Sequence, residues 1–273
     1  MMLNNITLGQ FFPGNSLVHK LDPRAKIVFT ILYIVIVFSA KNPVSLAICA
    51  ALTVSLILIS KISMRVILKS IKPILFIMVF TAVLNIFWTT GENVLFSFWK
   101  ITVYREGVQF ALMMVSRLIL LITGTFVILT YTTSPMALTD AIERLTSPLS
   151  KIGVPTHEFA MMMSIALRFI PTLIEETDKI MCAQKARGAN FETGSLLKRA
   201  KALIPILIPL FISSFRRADE LAAAMECRLY HGGSGRTRLK VLKLSLRDYA
   251  TGFVFAAILA AIIFLNTRFE AIL

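Results

Sequence analysis

The chain has 273 residues, of which 56% are hydrophobic and only 16% are charged, and its mean hydropathy is +0.76. This composition is typical of an integral membrane protein and argues against an ordinary soluble enzyme domain. The formal net charge is +14, but the basic residues lie between apolar runs, where they set membrane topology rather than bind nucleic acid.

Cysteine and histidine spacing gives no indication of a metal or disulfide site. The three cysteines lie far apart and form no CxxC pair, and the three histidines share no ligand spacing with them. Residues 1–26 contain charges, a proline and turn residues, but no apolar core ahead of a cleavage site. We therefore expect the first apolar run to be a retained membrane anchor.

Alternating apolar runs and charged connections predict five transmembrane spans. Between the second and third spans, four basic residues come without an acidic one, which marks this connection as cytoplasmic. Residues 91–107 carry balanced charge and suit the outer surface, as does the short tail 266–273. The predicted spans cover residues 27–40, 44–60, 73–90, 108–131 and 249–265.

Arg117 lies inside the fourth predicted span. A charged side chain within a span is costly, so it faces either a protein partner or a polar cavity. Alternatively, it lies near the outer headgroups and snorkels to them. The sequence makes Arg117 a candidate contact to a partner within the membrane.

Residues 134–246, rich in basic side chains, are predicted to form a cytoplasmic module of amphipathic helices. Ser134 caps a first helix that Gly153 and Pro155 close. Thr156 is then expected to cap a longer helix, in which Pro171 should introduce a kink.

A third helix is expected to begin after Ser195. Its apolar stretch, residues 202–215, contains two prolines and is too short for a span. An alanine-rich stretch of high helix propensity extends it to residue 228.

The second and third helices end alike, each with an arginine followed by glycine at once or after a few residues. A cation at a helix C-terminus interacts favourably with the helix dipole and glycine commonly stops a helix, so either end alone has a simple explanation. Together they suggest two helix ends inserted into two similar receptors, each guanidinium pairing with carboxylates. The end residues are Ala186, Arg187 and Gly188 in the first helix and Glu226, Cys227 and Arg228 in the second.

Four segments carry a resemblance to a known family. The chain resembles the transmembrane T component of energy-coupling factor (ECF) transporters, the EcfT/CbiQ-like family, which is the membrane scaffold of a class of vitamin and metal importers. The segments are SLVHKLDPRAK at 16–26, TSPLSKIGVPTHEFAMMMSIALRFIPTLIEE at 146–176, AQKARG at 183–188 and AMECRLYHGGSGRTR at 224–238.

The resemblance implies two kinds of partner. Two cytoplasmic ABC-type ATPases, a homologous pair, would each receive one helix end, and the membrane part would hold a small substrate-binding S component. The first triplet matches the family form residue by residue, whereas the second keeps Arg228 in altered surroundings. The chain has no G-x-x-x-x-G-K-[ST] phosphate loop, so we expect no enzyme activity and no cofactor, with ATP and Mg²⁺ bound by the ATPases.

The sequence thus predicts an all-α polytopic membrane protein of a prokaryotic plasma membrane. Residues 1–133 would form four spans, 134–246 the cytoplasmic coupling helices and 247–273 the last span, with the N-terminus inside and the C-terminus outside. The expected function is to couple ATP hydrolysis by the two ATPases to movement of the S component. One alternative is a self-sufficient permease with its own substrate path through Arg117; another is a membrane-embedded enzyme, which would need converging His, Asp or Glu side chains.

Overall fold

The computed structural model describes residues 11–90, 93–98, 101–189, 191, 195–232 and 242–268. The expected all-α class is confirmed: apart from one short hairpin, the regular structure of these residues is helical. The helices are α1 (Pro23–Ser39), α2 (Pro43–Ser60), α3 (Met64–Ile71), α4 (Leu75–Trp88), α5 (Arg105–Thr125), α6 (Pro135–Thr146), α7 (Thr156–Ala186), α8 (Leu196–Cys227) and α9 (Leu246–Arg268).

The chain divides into two compact units. The first, which we call the terminal unit, comprises Gln10–Leu138 and Leu242–Leu273; the second, the inserted unit, contains Thr139–Val241. The predicted division set the last span apart as a domain of its own. In the structure α9 packs on α1 within the terminal unit, and the predicted division stays a prediction.

Five of the described helices are long and apolar enough to cross a membrane. The second to fifth predicted spans fall within four of them, apart from at most two residues at a C-terminal end: Pro43–Ser60, Met64–Trp88, Arg105–Thr130 and Leu246–Arg268. The first predicted span largely coincides with α1, which has 17 residues and is shorter than these five. The remaining candidate is α7, whose mean hydropathy of 1.2 is well below the 2.0 to 2.2 of the others.

The connection between α4 and α5 contains the hairpin, which the charge pattern did not predict. Its strands are β1 (Val94–Phe98) and β2 (Ile101–Tyr104), paired antiparallel with an irregularity near the start of β1. Valine, isoleucine, threonine and aromatic residues dominate both strands, as β-propensity requires. Within the predicted outer loop, the described residues 94–98 and 101–104 thus form regular structure.

The core of the terminal unit lies between α1, α2, α5 and α9. Helices α1 and α2 both begin with proline at their first position, where the missing N–H costs nothing. The Phe29 and Phe255 rings stack with centroids 5.5 Å apart and so join α1 to α9. Tyr33, fully buried, places its hydroxyl 2.7 Å from Thr53 Oγ1 and donates to the Leu120 carbonyl at 2.8 Å.

A short N-terminal segment, residues 11–26, binds the end of the fourth span. The buried Lys26 ammonium donates to the Thr132 carbonyl at 2.8 Å and to the His19 carbonyl at 3.3 Å. The Phe12 backbone N–H donates to the Tyr131 carbonyl at 3.0 Å. The bonds to Tyr131 and Thr132 satisfy carbonyls that follow a π-helical turn, Phe126–Thr130, where the helix ends.

The same segment binds the start of α9. The buried Asp248 carboxylate accepts from the Asp22 N–H at 2.9 Å, and from the Ser245 N–H and hydroxyl at 2.7 and 2.9 Å. The Arg24 guanidinium donates to Asp22 at 2.9 Å and to the Leu242 carbonyl at 3.1 Å. The terminal unit resumes at Leu242, so this N-terminal segment holds the residues with which the chain re-enters that unit.

The inserted unit contains α6 from Thr139 onward, a 3₁₀ turn (Ser147–Ile152), α7 and α8. The Ser134 hydroxyl accepts from the Ala137 N–H at 3.3 Å just ahead of α6, as its predicted capping role requires, and Gly153 ends the 3₁₀ turn at φ +88°. Thr156 is the first residue of α7 rather than its cap, since Pro155 precedes the helix in a non-helical conformation.

Helix α8 is one continuous helix of 32 residues, with Pro205 and Pro209 inside it. The apolar stretch and the alanine-rich stretch predicted from the sequence are thus parts of a single element. Helix α7 likewise continues through Pro171, over 31 residues. The kink predicted at Pro171 stays a prediction.

Candidate functional site

The C-terminal end of α7 closes in a Schellman motif. The N–H of Ala189 donates to the Gln184 carbonyl and the N–H of Gly188 to the Lys185 carbonyl, both at 3.0 Å. Arg187 is the capping residue, and Gly188 follows in the left-handed region at φ +87°. Glycine favours this geometry because it has no Cβ to clash with the preceding carbonyl.

The end of α8 repeats this arrangement bond for bond. The N–H of Tyr230 donates to the Met225 carbonyl at 3.1 Å, and the N–H of Leu229 to the Glu226 carbonyl at 2.9 Å. Arg228 is the capping residue. Leu229 then takes the left-handed position, at φ +55°, which costs a residue with a Cβ about 1 kcal/mol relative to glycine.

The shared motif fixes how the two ends correspond. Arg187 and Arg228 occupy the same capping position, so Ala186 corresponds to Cys227 and Gly188 to Leu229. The second triplet predicted from the sequence, Glu226, Cys227 and Arg228, starts one residue before the stretch that corresponds to the first. Leu229 was missed for this reason; aligning the two ends on their arginines would have found it.

Both ends are accessible. Ala186, Arg187 and Gly188 are exposed, as are Glu226, Cys227 and Arg228. Among the residues that the structure describes, neither guanidinium has a hydrogen-bond or ion-pair partner. Each is thus a free bidentate donor at a negative helix terminus, and a carboxylate brought by another protein can pair with it.

Two side-chain contacts show how α7 and α8 cross. Glu176 pairs with Arg217 at 3.1 Å, and the Gln184 amide donates to the Pro205 carbonyl at 3.4 Å. Along α7 the contacts run from Glu176 to Gln184, whereas along α8 they run backwards, from Arg217 to Pro205. The two helices therefore cross in an antiparallel sense. Their C-terminal ends therefore lie on opposite sides of the crossing.

Arg117 lies in α5, within the terminal unit. Its side chain is buried, with 8% exposure, and its terminal nitrogen donates to the Ala40 carbonyl at the end of α1. Its Nε has no hydrogen-bond partner among the described residues. The guanidinium thus satisfies a helix-end carbonyl of its own chain, and its predicted contact to a membrane partner stays a prediction.

Comparison with known proteins gives the family. Residues 14–239 match the CbiQ family, which is described as cobalt transport protein. This stretch includes α1 to α8 and both candidate ends. It covers well over half of the chain.

Curated relatives match over nearly the whole length. The chain is 57% identical over 249 residues to the energy-coupling factor transporter transmembrane protein EcfT of Clostridium kluyveri, covering 91% of this chain and 92% of that one. The proteins of the same name from Brevibacillus brevis and Acidaminococcus fermentans are 55% and 52% identical, over 90% and 97% of this chain and 93% and 98% of their own. The expected resemblance is confirmed: the chain belongs to the CbiQ/EcfT family, the transmembrane components of energy-coupling factor transporters.

Proposed function

We propose that this subunit couples ATP hydrolysis by two cytoplasmic ATPases to movement of a substrate-binding S component, for uptake of a vitamin or metal. The observation that carries the proposal is the pair of helix ends. Each presents an exposed arginine with no partner among the described residues, at the same position of the same capping motif. Two equal donors suit two homologous receptors.

The position of these ends suits a mechanical role. Each guanidinium pairs with carboxylates in a groove of one ATPase, and the negative end of the helix dipole stabilises the arginine cation itself. Because α7 and α8 diverge from one crossing, closure of the ATPases moves the two ends relative to that crossing. The 31 and 32 residues of the helices transmit this motion as rigid levers.

An apolar surface on α8 supports a second, membrane-embedded partner. Seven large apolar side chains there are each roughly half exposed or more, and a row of this size needs apolar surroundings. The S component, held partly by lipid and partly by this subunit, supplies them. The side chains are Leu203, Ile204, Leu207, Ile208, Phe211, Ile212 and Phe215.

The alternative, a self-sufficient permease, has less support. It requires Arg117 to face a substrate path, whereas the guanidinium donates within the chain and is 8% exposed. It also requires the isolated chain to bind the transported solute.

The two arginines can be tested by charge reversal. We expect Arg187→Glu and Arg228→Glu each to weaken capture of the ATPase pair by about tenfold or more, because each removes a bidentate pair and sets a carboxylate against carboxylates. The double variant should lose substrate uptake. Capture is measured by pull-down and titration of the purified ATPases onto full-length protein in nanodiscs, and uptake in reconstituted vesicles.

Arg216→Glu is the matched control, since Arg216 is exposed in the middle of α8 and reverses the same charge away from either end. We expect it to bind ATPases as the unaltered protein does. An intact, ATP-hydrolysing and transport-competent complex purified with the double variant would refute the proposal.

A further inference from the structure

Leu229 is an exception in how this chain uses the left-handed backbone region. Gly153, Gly188 and Gly232 have φ between +87° and +91°, as expected of a residue without Cβ. Only Lys61 and Leu229 adopt positive φ with a side chain among the described residues, both at +55°. A leucine there is strained, and strain of this kind persists only where something offsets it.

The two cap hydrogen bonds favour this backbone conformation for any residue at the position, so they do not explain why the residue is leucine rather than glycine. The Leu229 side chain is 76% exposed, so burial within the subunit contributes little. Lys61 differs, because its exposed side chain is polar and suits water. Leu229 is thus an exposed apolar side chain at a strained backbone position, directly beside a free arginine. Apolar and arginine side chains together are typical of the residues that anchor a protein interface.

We propose that Leu229 is a recognition residue, which inserts into an apolar pocket of the ATPase that receives the α8 end, next to the carboxylates that bind Arg228. This inference rests on the proposed function, because that function supplies the partner. At the corresponding place on α7, Gly188 presents bare backbone. The two ends thus share one arginine geometry and differ by one isobutyl group.

The open space around Gly188 supports this distinction. A Cβ added there would meet no atom within 4 Å, so packing of the subunit itself does not exclude a side chain at that end. The receptor of the α7 end accepts a flat backbone, and the receptor of the α8 end has room for leucine. Homologous ATPases can therefore tell the ends apart without any change in how they bind arginine.

The test is Leu229→Gly, which relieves the backbone strain and removes the proposed anchor. We expect the thermal stability of the subunit to stay the same or rise. Titration of each purified ATPase onto the full-length variant in nanodiscs should show about a 10- to 100-fold loss of affinity for one ATPase, as expected for losing a buried leucine side chain. Affinity for the other should not change.

Two further variants complete the test. Leu229→Met keeps an apolar side chain and should retain most of the affinity. Lys61→Gly relieves the same backbone strain away from both ends and should change neither affinity.

Unchanged affinity of Leu229→Gly for both ATPases would overturn the inference, and would mean that lipid or solvent meets this side chain. A lower melting temperature would overturn it too, because the residue would then support the fold. If Arg228→Glu weakens binding while Leu229→Gly does not, the inference fails and the proposed function stands. If neither variant weakens binding, the proposed function fails with it.

Discussion

At the scale of single residues, Gly124 shows how closely α1 and α5 approach. A Cβ built at Gly124 would lie 2.2 Å from Cζ of the buried Tyr33 ring, much closer than any real carbon contact. The ring fills the space above the glycine and reaches the Leu120 carbonyl with its hydroxyl. A small residue here thus allows two helices to pack closely, as is usual between membrane helices.

Gly124→Ala should therefore destabilise the terminal unit. The methyl group forces the Tyr33 ring to move and to give up its hydrogen bonds, so we expect a cost of about 1–3 kcal/mol. Gly252→Ala is the matched control, because its Cβ would meet Phe29 at an ordinary 3.4 Å and alanine favours the helix. Circular dichroism during heating of the detergent-purified proteins would measure this; a Gly124→Ala protein that melts like the unaltered one would contradict it.

At the scale of elements, apolar runs and charge predicted most of the helices. An apolar run of about 17 residues bounded by basic side chains is best explained as a membrane-spanning helix, because a backbone without internal hydrogen bonds cannot cross a bilayer. The third helix was predicted to extend to residue 228, and α8 is indeed continuous to Cys227 although it contains Pro205 and Pro209, which are disfavoured in a helix interior. The hairpin was missed because its connection was judged by net charge and not by strand alternation.

The candidate site was predicted in part. Both arginines and the first triplet follow from the sequence, because a cation next to glycine marks a helix end. The equivalent position of Leu229 does not follow, since propensity disfavours leucine at positive φ and only the hydrogen bonds of the cap place it there. Sequence patterns fail at such strained positions, where local preference and native geometry disagree.

The start of α9 permits a test at the element scale. Asp248 accepts three hydrogen bonds, from the Asp22 N–H and from the N–H and hydroxyl of Ser245. In Asp248→Asn one carboxylate oxygen becomes an NH₂ group that cannot accept, so buried donors lose partners. We expect a loss of about 1–3 kcal/mol of stability.

The control for this change is Asp219→Asn, at an exposed position of α8, which should leave the apparent melting temperature of the purified protein unaltered. Equal melting of the two variants would show that the bonds of Asp248 contribute little.

At the scale of the whole molecule, the proposed orientation places both coupling ends in the cytoplasm. The three native cysteines allow this orientation to be tested by thiol labelling without introducing new ones, since Cys182 and Cys227 are exposed and Cys49 is buried. A membrane-impermeant maleimide should label the first two in inside-out vesicles and leave right-side-out vesicles unlabelled. Mass spectrometry of the labelled peptides would distinguish the sites.

Added ATPases sharpen this experiment. Cys227 directly precedes Arg228, so a saturating ATPase pair should slow its labelling. Cys49, with no exposed surface, should stay unmodified in both kinds of vesicle and serves as the internal control. Rapid labelling of Cys182 or Cys227 in sealed right-side-out vesicles would contradict the proposed orientation.

The terminal unit is formed by the segments that precede and follow the inserted unit in the sequence. This imposes an order on biosynthesis. The Asp22 N–H binds a carboxylate 226 residues further along the chain, and Phe29 stacks on Phe255. A ribosome must therefore finish the inserted unit before the helix that covers α1 emerges. Until then, the apolar face of α1 that later contacts α9 must be shielded by lipid or by the insertion machinery, so slow release of the last span would prolong a vulnerable intermediate.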